Sequence, residues 1–541
     1  MMKRKFVLIF LSAMLCVPVA YAQKKPTTGT KMRMSVQKRI PSEMNRGSFV
    51  VSQDIQTWNP NETAIIICDM WNKHWCKGAT ERVSEMAPTL NNVVSIARDK
   101  GVFIVHAPSS CMPYYNDHPA RKLAKKYDNK KAVAMNSREP LLSEKGALWP
   151  INQDDGGCNC TIECTQGTVW DHQIETIVIK DQDAISDSGV EVAGLFKAKG
   201  IKNVILMGVH ENMCIINRPF ALRNMVNLGM NTVVMRDLTD TMYDSKEEPH
   251  VSHFTGNSLM TEYIESYIAP SVVSTDFTGK KQFRFKEDDR PLVAFIIADN
   301  EYHANESLPA FAHDLLLKQG VNCEFALGKP IAEGEGVHNI ENLQVMNDAD
   351  LAVVFVRRRA LPSEEMSLIK DYVASGKPVL GIRTASHAFD AKKDVPRAGG
   401  GLEPAKVQVS EMLAQWPEFD KDVLGGNYQG HYGNMKEGIM FSVAPGMESH
   451  PILKGISPKG FVGPVAPSES LYKNRPLRSD NIQVLMTGNI PDQPSEPVLW
   501  VNHPGQNKVV YTSMGHWEHW KMEDFRKLMA NAVGYLLADQ K

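Results

Sequence analysis

Residues 203–214 read NVILMGVHENMC. From Val204 to Val209 the run is apolar without alternation, the pattern of a strand buried on both faces. It then breaks into polar residues and reaches Cys214 where the next helix begins. Four runs of the same character surround it: TAIIIC at 63–68, VFIVHA at 102–107, ETIVIK at 175–180 and NTVVM at 231–235. Amphipathic stretches lie between them. Val83 to Lys100 stops at Gly101 and Gly189 to Lys199 stops at Gly200, each with basic residues in the last turn, where the helix dipole favours them. Strand and helix in alternation imply right-handed βαβ crossovers and a mainly parallel sheet covered by helices on both sides.

The rhythm lapses in TDFTGKKQFRFKEDDR at 275–290, which is polar and aperiodic, and restarts with PLVAFIIA at 291, LAVVFV at 351, PVLGI at 378, VLMTG at 484 and KVVYTS at 508. The 541-residue chain is therefore expected to be α/β, two doubly wound, mainly parallel three-layer (αβα) domains in tandem over residues 50–275 and 290–541, joined by a linker at 276–289. Apolar residues at 43% and charged residues at 23% supply a globular core. With 60 Lys and Arg against 62 Asp and Glu, no basic excess points to nucleic acid. A small-molecule substrate fits better. Lys3, Arg4 and Lys5, an apolar run from Phe6 to Ala20, and small residues before Gln23 read as a secretory signal over residues 1–22. That implies a secreted or periplasmic protein with no membrane span after cleavage, its mature chain opening on a flexible extension at 23–49. An assembly of like chains is compatible with all of this.

In a doubly wound sheet ligands bind beyond the carboxyl ends of the strands. Asp69 follows TAIIIC, Lys180 closes ETIVIK, and Cys214 begins the helix after NVILMG. A thiol at a helix start beside an ammonium has a stabilised thiolate, and a carboxylate in reach takes and returns its proton. CDMWNKHWC at 68–76, the Lys180 strand end and GVHENMC at 208–214 resemble the isochorismatase-like cysteine hydrolases. The resemblance implies Asp69, Lys180 and Cys214 as the catalytic triad and hydrolysis of a small amide-type substrate through a thioester. It also implies a non-proline cis peptide between Val209 and His210 that aims backbone N–H groups at the oxyanion. Pro219, five residues past Cys214, requires that helix to start later or to kink. Trp71, His74 and Trp75 are pocket wall or packing, and His106 lines the pocket or its rim; on the pocket reading Trp71, His74 and His106 bind substrate. The family's zinc-binding members use an Asp-x-His pattern that HAPSSCMPYYNDH at 106–118 does not match, so no metal site is expected there.

Cys158, Cys160 and Cys164 form a CNCTIEC cluster. Zinc needs a fourth ligand and usually a two-residue gap, so disulfides are the expectation and no cofactor is foreseen. The second half carries DNEYH at 299–303, GKPVLGIRTASHAF at 376–389, LGGNYQGHYG at 424–433 and TSMGHWEHW at 512–520, and resembles the trehalose-utilisation (ThuA-like) family of class I glutamine amidotransferase-like fold. Where those amidotransferases place a nucleophile this chain has Arg383, which cannot attack a carbonyl. His303, Arg383, His387, His431 and His516 either outline a pocket for a sugar or carboxylate, with Arg383 as an anion clamp, or maintain loop geometry. The alternative to a two-domain hydrolase is a binding protein in which both pockets only recognise ligand.

Overall fold

The computed structural model describes residues 31–127, 139–299, 301–328, 338–391, 394–396, 402–404, 413–434, 437–466 and 469–538. The signal-peptide reading at 1–22 lies outside them. The first half is built on eight strands: β1 (Met32–Pro41), β2 (Phe49–Trp58), β3 (Thr63–Cys68), β4 (Phe103–Ala107), β5 (Ala184–Ile185), β6 (Asn203–Val209), β7 (Asn231–Asp240) and β8 (Ser271–Val272), in the order β2-β1-β8-β7-β6-β3-β4-β5. The ladder from β8 to β5 is parallel. The order reverses direction between β6 and β3, the crevice where doubly wound sheets bind ligands.

Side chains alternate across this sheet as the pleat requires. Ile65, Ile67, Ile205, Met207 and Val233 face one side and pack on helix α1 (Lys77–Lys100) through Val83, Met86, Leu90 and Val94. Ile66, Val105, Leu206 and Val234 face the other, against Val192 and Leu195 of a helix at Gly189–Lys199 and Leu259, Met260 and Ile264 of one at His253–Tyr267. Burying each such large aliphatic residue contributes roughly 1.5–3 kcal/mol. Gly101 closes α1 at a φ of 103°, the left-handed C-cap that glycine adopts without a Cβ penalty.

Three expectations are corrected here. The segment assigned as a flexible extension holds β1 and the start of β2, which pair antiparallel from Met32↔Trp58 to Pro41↔Phe49, and β1 joins the sheet through Gln37↔Ser271. Its signal was a period of two, since Met32, Met34 and Val36 are buried and alternate with polar residues. ETIVIK forms no strand. Ile177 enters the core at 2% exposure while Val178 is 41% exposed, and the two-residue β5 holds the sheet edge instead. The linker at 276–289 is packed: Phe277 and Phe285 are buried with the α1 face, and Asp237 accepts hydrogen bonds from the Ser274 and Phe283 N–H groups.

The second half has a ten-stranded sheet whose core strands β9 (Leu292–Ala298), β10 (Asn322–Gly328), Leu351–Val356, Val379–Ile382 and Val509–Thr512 run parallel. Beyond Val509–Thr512 the ladder turns antiparallel through Glu496–Asn502, Gln483–Asn489 and Met440–Val443, so this sheet is mixed. The halves also share packing. Val51 of β2 lies in the second core and Leu316 in the first. Arg33 pairs with Glu341 at 3.0 Å and Arg236 with Glu324 at 2.9 Å.

Candidate active site

Cys68 and Gly208 are register partners in adjacent strands, so Asp69 and the loop after β6 leave the sheet side by side at its reversal point. Asp69 has a φ of 47° and is fully buried. Its Oδ1 accepts the Ser109 N–H at 2.7 Å and its Oδ2 accepts Arg218 Nε at 2.9 Å, and its charge acts on the Cys214 thiol. Cys214 opens a helix of only four residues, Cys214–Asn217, which the Arg218-Pro219 step ends. This is the break that Pro219 demands, and it points Arg218, one turn beyond Cys214, back at Asp69.

Arg218 therefore stands where a lysine was expected. Lys180 has an exposed side chain, and its backbone N–H donates to Asp183 at 2.8 Å. The misplacement follows from the absent strand at 175–180. His106 is likewise corrected. Its ring nitrogens lie 3.0 Å from Gln173 Oε1 and 3.2 Å from Asp183 Oδ2, and Arg98 holds that aspartate at 2.8 Å, so His106 ties the sheet to its flanking loop.

Electrostatics change the expected state of the Cys214 thiol. Burial first, then the negative charge of Asp69, push the Cys214 thiol well above its ordinary range, while Arg218 and the His210 backbone N–H pull the other way. A four-residue helix has few aligned peptide dipoles to offset this. Burial also raises Asp69, against the pull of Arg218. Burial and the neighbouring charge thus favour the protonated thiol beside Asp69.

The expected cis peptide joins Val209 to His210. Trp71 stacks on Trp170 with centroids 4.2 Å apart, and His74 lies parallel to Trp170 at 5.5 Å and edge-on to His210 at 5.0 Å. Burial holds His74 down at about 4 and His210 well below its usual range, so both are neutral near pH 7. Trp71, Trp170, Cys111 and Cys214 share one cluster, which sets an aromatic wall beside the sulfur.

The eight cysteines of the described residues are all free, where disulfides were expected. Cys158, Cys160 and Cys164 instead converge on Cys76, and the four sulfurs lie within 4.8 Å of one another. The expectation that this cluster holds no metal rested on a missing fourth ligand, which Cys76 supplies, and on the Cys-x-Cys spacing, which stands.

In the second half Arg383 follows the strand Val379–Ile382 at a φ of 44° and is completely buried. Its Nη1 donates to the Ser513 carbonyl at 3.0 Å and lies 3.5 Å from Glu469 Oε1, and its guanidinium sits 4.1 Å from the Tyr302 ring and 5.0 Å from the Tyr472 ring. Its Nε and Nη2 find no hydrogen-bond partner. His387 stacks on Tyr428 at 4.6 Å, His516 lies 5.8 Å from Tyr302, and His303 meets the edge of Trp517 at 5.3 Å. His431 is exposed, with its Nδ1 accepting the Gly433 N–H, and belongs to the rim. Burial lowers His516 to about 3. Glu469, Tyr302 and Tyr472 complete this buried cluster and were not singled out from the sequence, since they lie far from Arg383 along the chain.

Residues 333–536 match the family model described as trehalose utilisation (ThuA). No curated protein matches the chain. Solved structures similar to it include a cysteine hydrolase from Pseudomonas syringae pv. phaseolicola, at 16% identity, a TM-score of 0.26, and 40% of this chain against 91% of that one. An isochorismatase family protein from Burkholderia thailandensis gives 11%, 0.24, 40% and 93% in the same terms. A ThuA-like protein from Parabacteroides merdae gives 14%, 0.32, 47% and 91%. The ThuA match lies within the second of the two α/β halves. No helix among the described residues is long and apolar enough to cross a membrane.

Proposed function

We propose that this chain is an exported hydrolase that cleaves a small amide-type C–N bond through a thioester on Cys214, fused to a ThuA-like half that recognises a sugar or sugar acid. One observation carries the reading: a single buried carboxylate, Asp69, held by a guanidinium and a backbone N–H, acts electrostatically on the Cys214 thiol at the reversal point of the sheet. Cys214 Sγ adds to the carbonyl carbon while Asp69 takes its proton, and Asp69 returns that proton to the departing amine. Water then adds to the thioester, giving its proton to Asp69, and the thiol leaves with that proton. Arg218 keeps Asp69 charged between steps and anchors it. The wall of Trp71, Trp170 and His74 suits a flat, unsaturated acyl group or leaving group.

The ThuA-like half is read as a binding module. Arg383 occupies the strand end without any nucleophile, and its unpartnered guanidinium edge among tyrosines suits hydroxyl or carboxylate oxygens. A panel of small amides, carbamates and ureas, assayed with wild type and Cys214→Ser, tests the hydrolase. Turnover is expected with at least one class and lost in the variant. Turnover that survives in Cys214→Ser would move the chemistry elsewhere.

A further inference from the structure

Cys76 is the N-cap of α1, at the end of the loop that carries Asp69, Trp71 and His74. Cys158, Cys160 and Cys164 come from a separate loop about eighty residues downstream. Cys158 Sγ lies 3.3 Å and Cys160 Sγ 3.8 Å from Cys76 Sγ, and all four sulfurs fall within 4.8 Å of one another. Thiolates bound tetrahedrally at the zinc–sulfur distance of about 2.3 Å sit about 3.8 Å apart along each edge. The spacing is that of four ligands around one ion. Two backbone donors support it, the Lys77 N–H to Cys164 Sγ and the Gly78 N–H to Cys160 Sγ, both at 3.4 Å. Such N–H groups stabilise thiolate charge, as the first amides of a helix do for anions.

We infer that Cys76, Cys158, Cys160 and Cys164 form a closed tetrahedral site for one zinc ion. Four thiol ligands leave no open position for substrate or water, so the role is structural, and binding releases the thiol protons to solvent. A pocket lined by Trp75, Asp155, Glu163 and Asp244 opens onto the sulfurs and gives the ion a way in. The site pins the 158–164 loop to the start of α1. It also touches Met213, the residue before Cys214, so it braces both arms of the catalytic site from behind. The metal assignment stands on sulfur geometry alone and does not depend on Cys214 being a nucleophile.

The test is metal content and spectroscopy of the full chain purified under reductant. About one zinc per chain is expected, and replacement by Co2+ should give the thiolate-to-metal charge-transfer band and the visible bands of a tetrahedral sulfur site. Cys160→Ser and Cys164→Ser should each weaken cobalt binding by about a hundredfold or more, beyond what loss of a supporting contact does. Cys111→Ser, Cys323→Ser and Cys214→Ser should leave content and spectrum unchanged, and their retention separates this site from the catalytic one. A reduced wild type with four free thiols here and no cobalt spectrum would overturn the inference. So would mass-spectrometric recovery of disulfides among these four in protein that takes up no metal after reduction. Because the wild type is read directly, a variant that fails to fold leaves the test intact.

Discussion

The two halves place different residues at the same point of similar sheets. Asp69 and Arg383 each follow a central parallel strand, each is fully buried, and each holds a positive φ, 47° and 44°. Around Asp69 the structure collects a thiol, a guanidinium and a backbone donor. Around Arg383 it collects a carboxylate, two tyrosine faces and histidines that burial keeps neutral. The strand end supplies a buried, directional position; on the proposed reading, the sign of the side chain there sets whether it moves protons or holds a ligand.

The comparison is broken most sharply by Cys214→Ala, expected to lower turnover by roughly ten-thousandfold with an unchanged melting temperature. In the other half Arg383→Met leaves Glu469 buried without its cation and should cost about 3–5 kcal/mol in denaturant unfolding. Burial already raises Glu469. A group whose folded value is raised is most stabilising when protonated, so this loss should shrink as pH falls through the carboxylate range and grow as pH rises. Pairing Arg383→Met with Glu469→Leu should recover most of it, and neither change should alter Cys214 turnover. Coupled loss of turnover would show that the halves work as one site.

A finer cut lies inside the first half. Arg218→Ala should lower turnover by roughly tenfold to a hundredfold, since it frees the Asp69 carboxylate to rotate and protonate, whereas Lys180→Ala should have no effect. The opposite ranking would restore the lysine. The smallest effect concerns pH. Because burial raises Asp69 and the base must be ionised, the acid limb of turnover should lie above the ordinary carboxylate range and move further up in Arg218→Gln.

The apolar runs at 63–68, 102–107, 203–209 and 231–235 fixed the sheet because residues buried on both faces show no alternation, and Asp69 and Cys214 were legible as the first polar chemistry beyond two of them. Arg218 was hidden. Reading it requires knowing that Pro219 stops the helix after one turn and turns Arg218 inward. Lys180 misled for the converse reason, since ETIVIK is apolar enough for a strand yet only Ile177 and Ile179 turn inward while Val178 and Lys180 face solvent. Cys76 could not be joined to CNCTIEC from spacing, because proximity across about eighty residues is set by the loops and not by local pattern. The packed 276–289 segment shows its phenylalanines only against Asp237 and α1, so a chain cut at Asp276 would lose part of the first core, and a boundary near Arg290 keeps it.

The central claim is that Cys214 rests as a neutral thiol whose proton Asp69 accepts. Its most direct measurement is the pH dependence of Cys214 alkylation by iodoacetamide, followed by mass spectrometry in wild type and in Asp69→Asn. With the negative neighbour gone, the midpoint of labelling should move to lower pH and labelling at neutral pH should quicken, while turnover falls by roughly a hundredfold. A midpoint that stays in place or rises in Asp69→Asn, with turnover intact, would contradict the account.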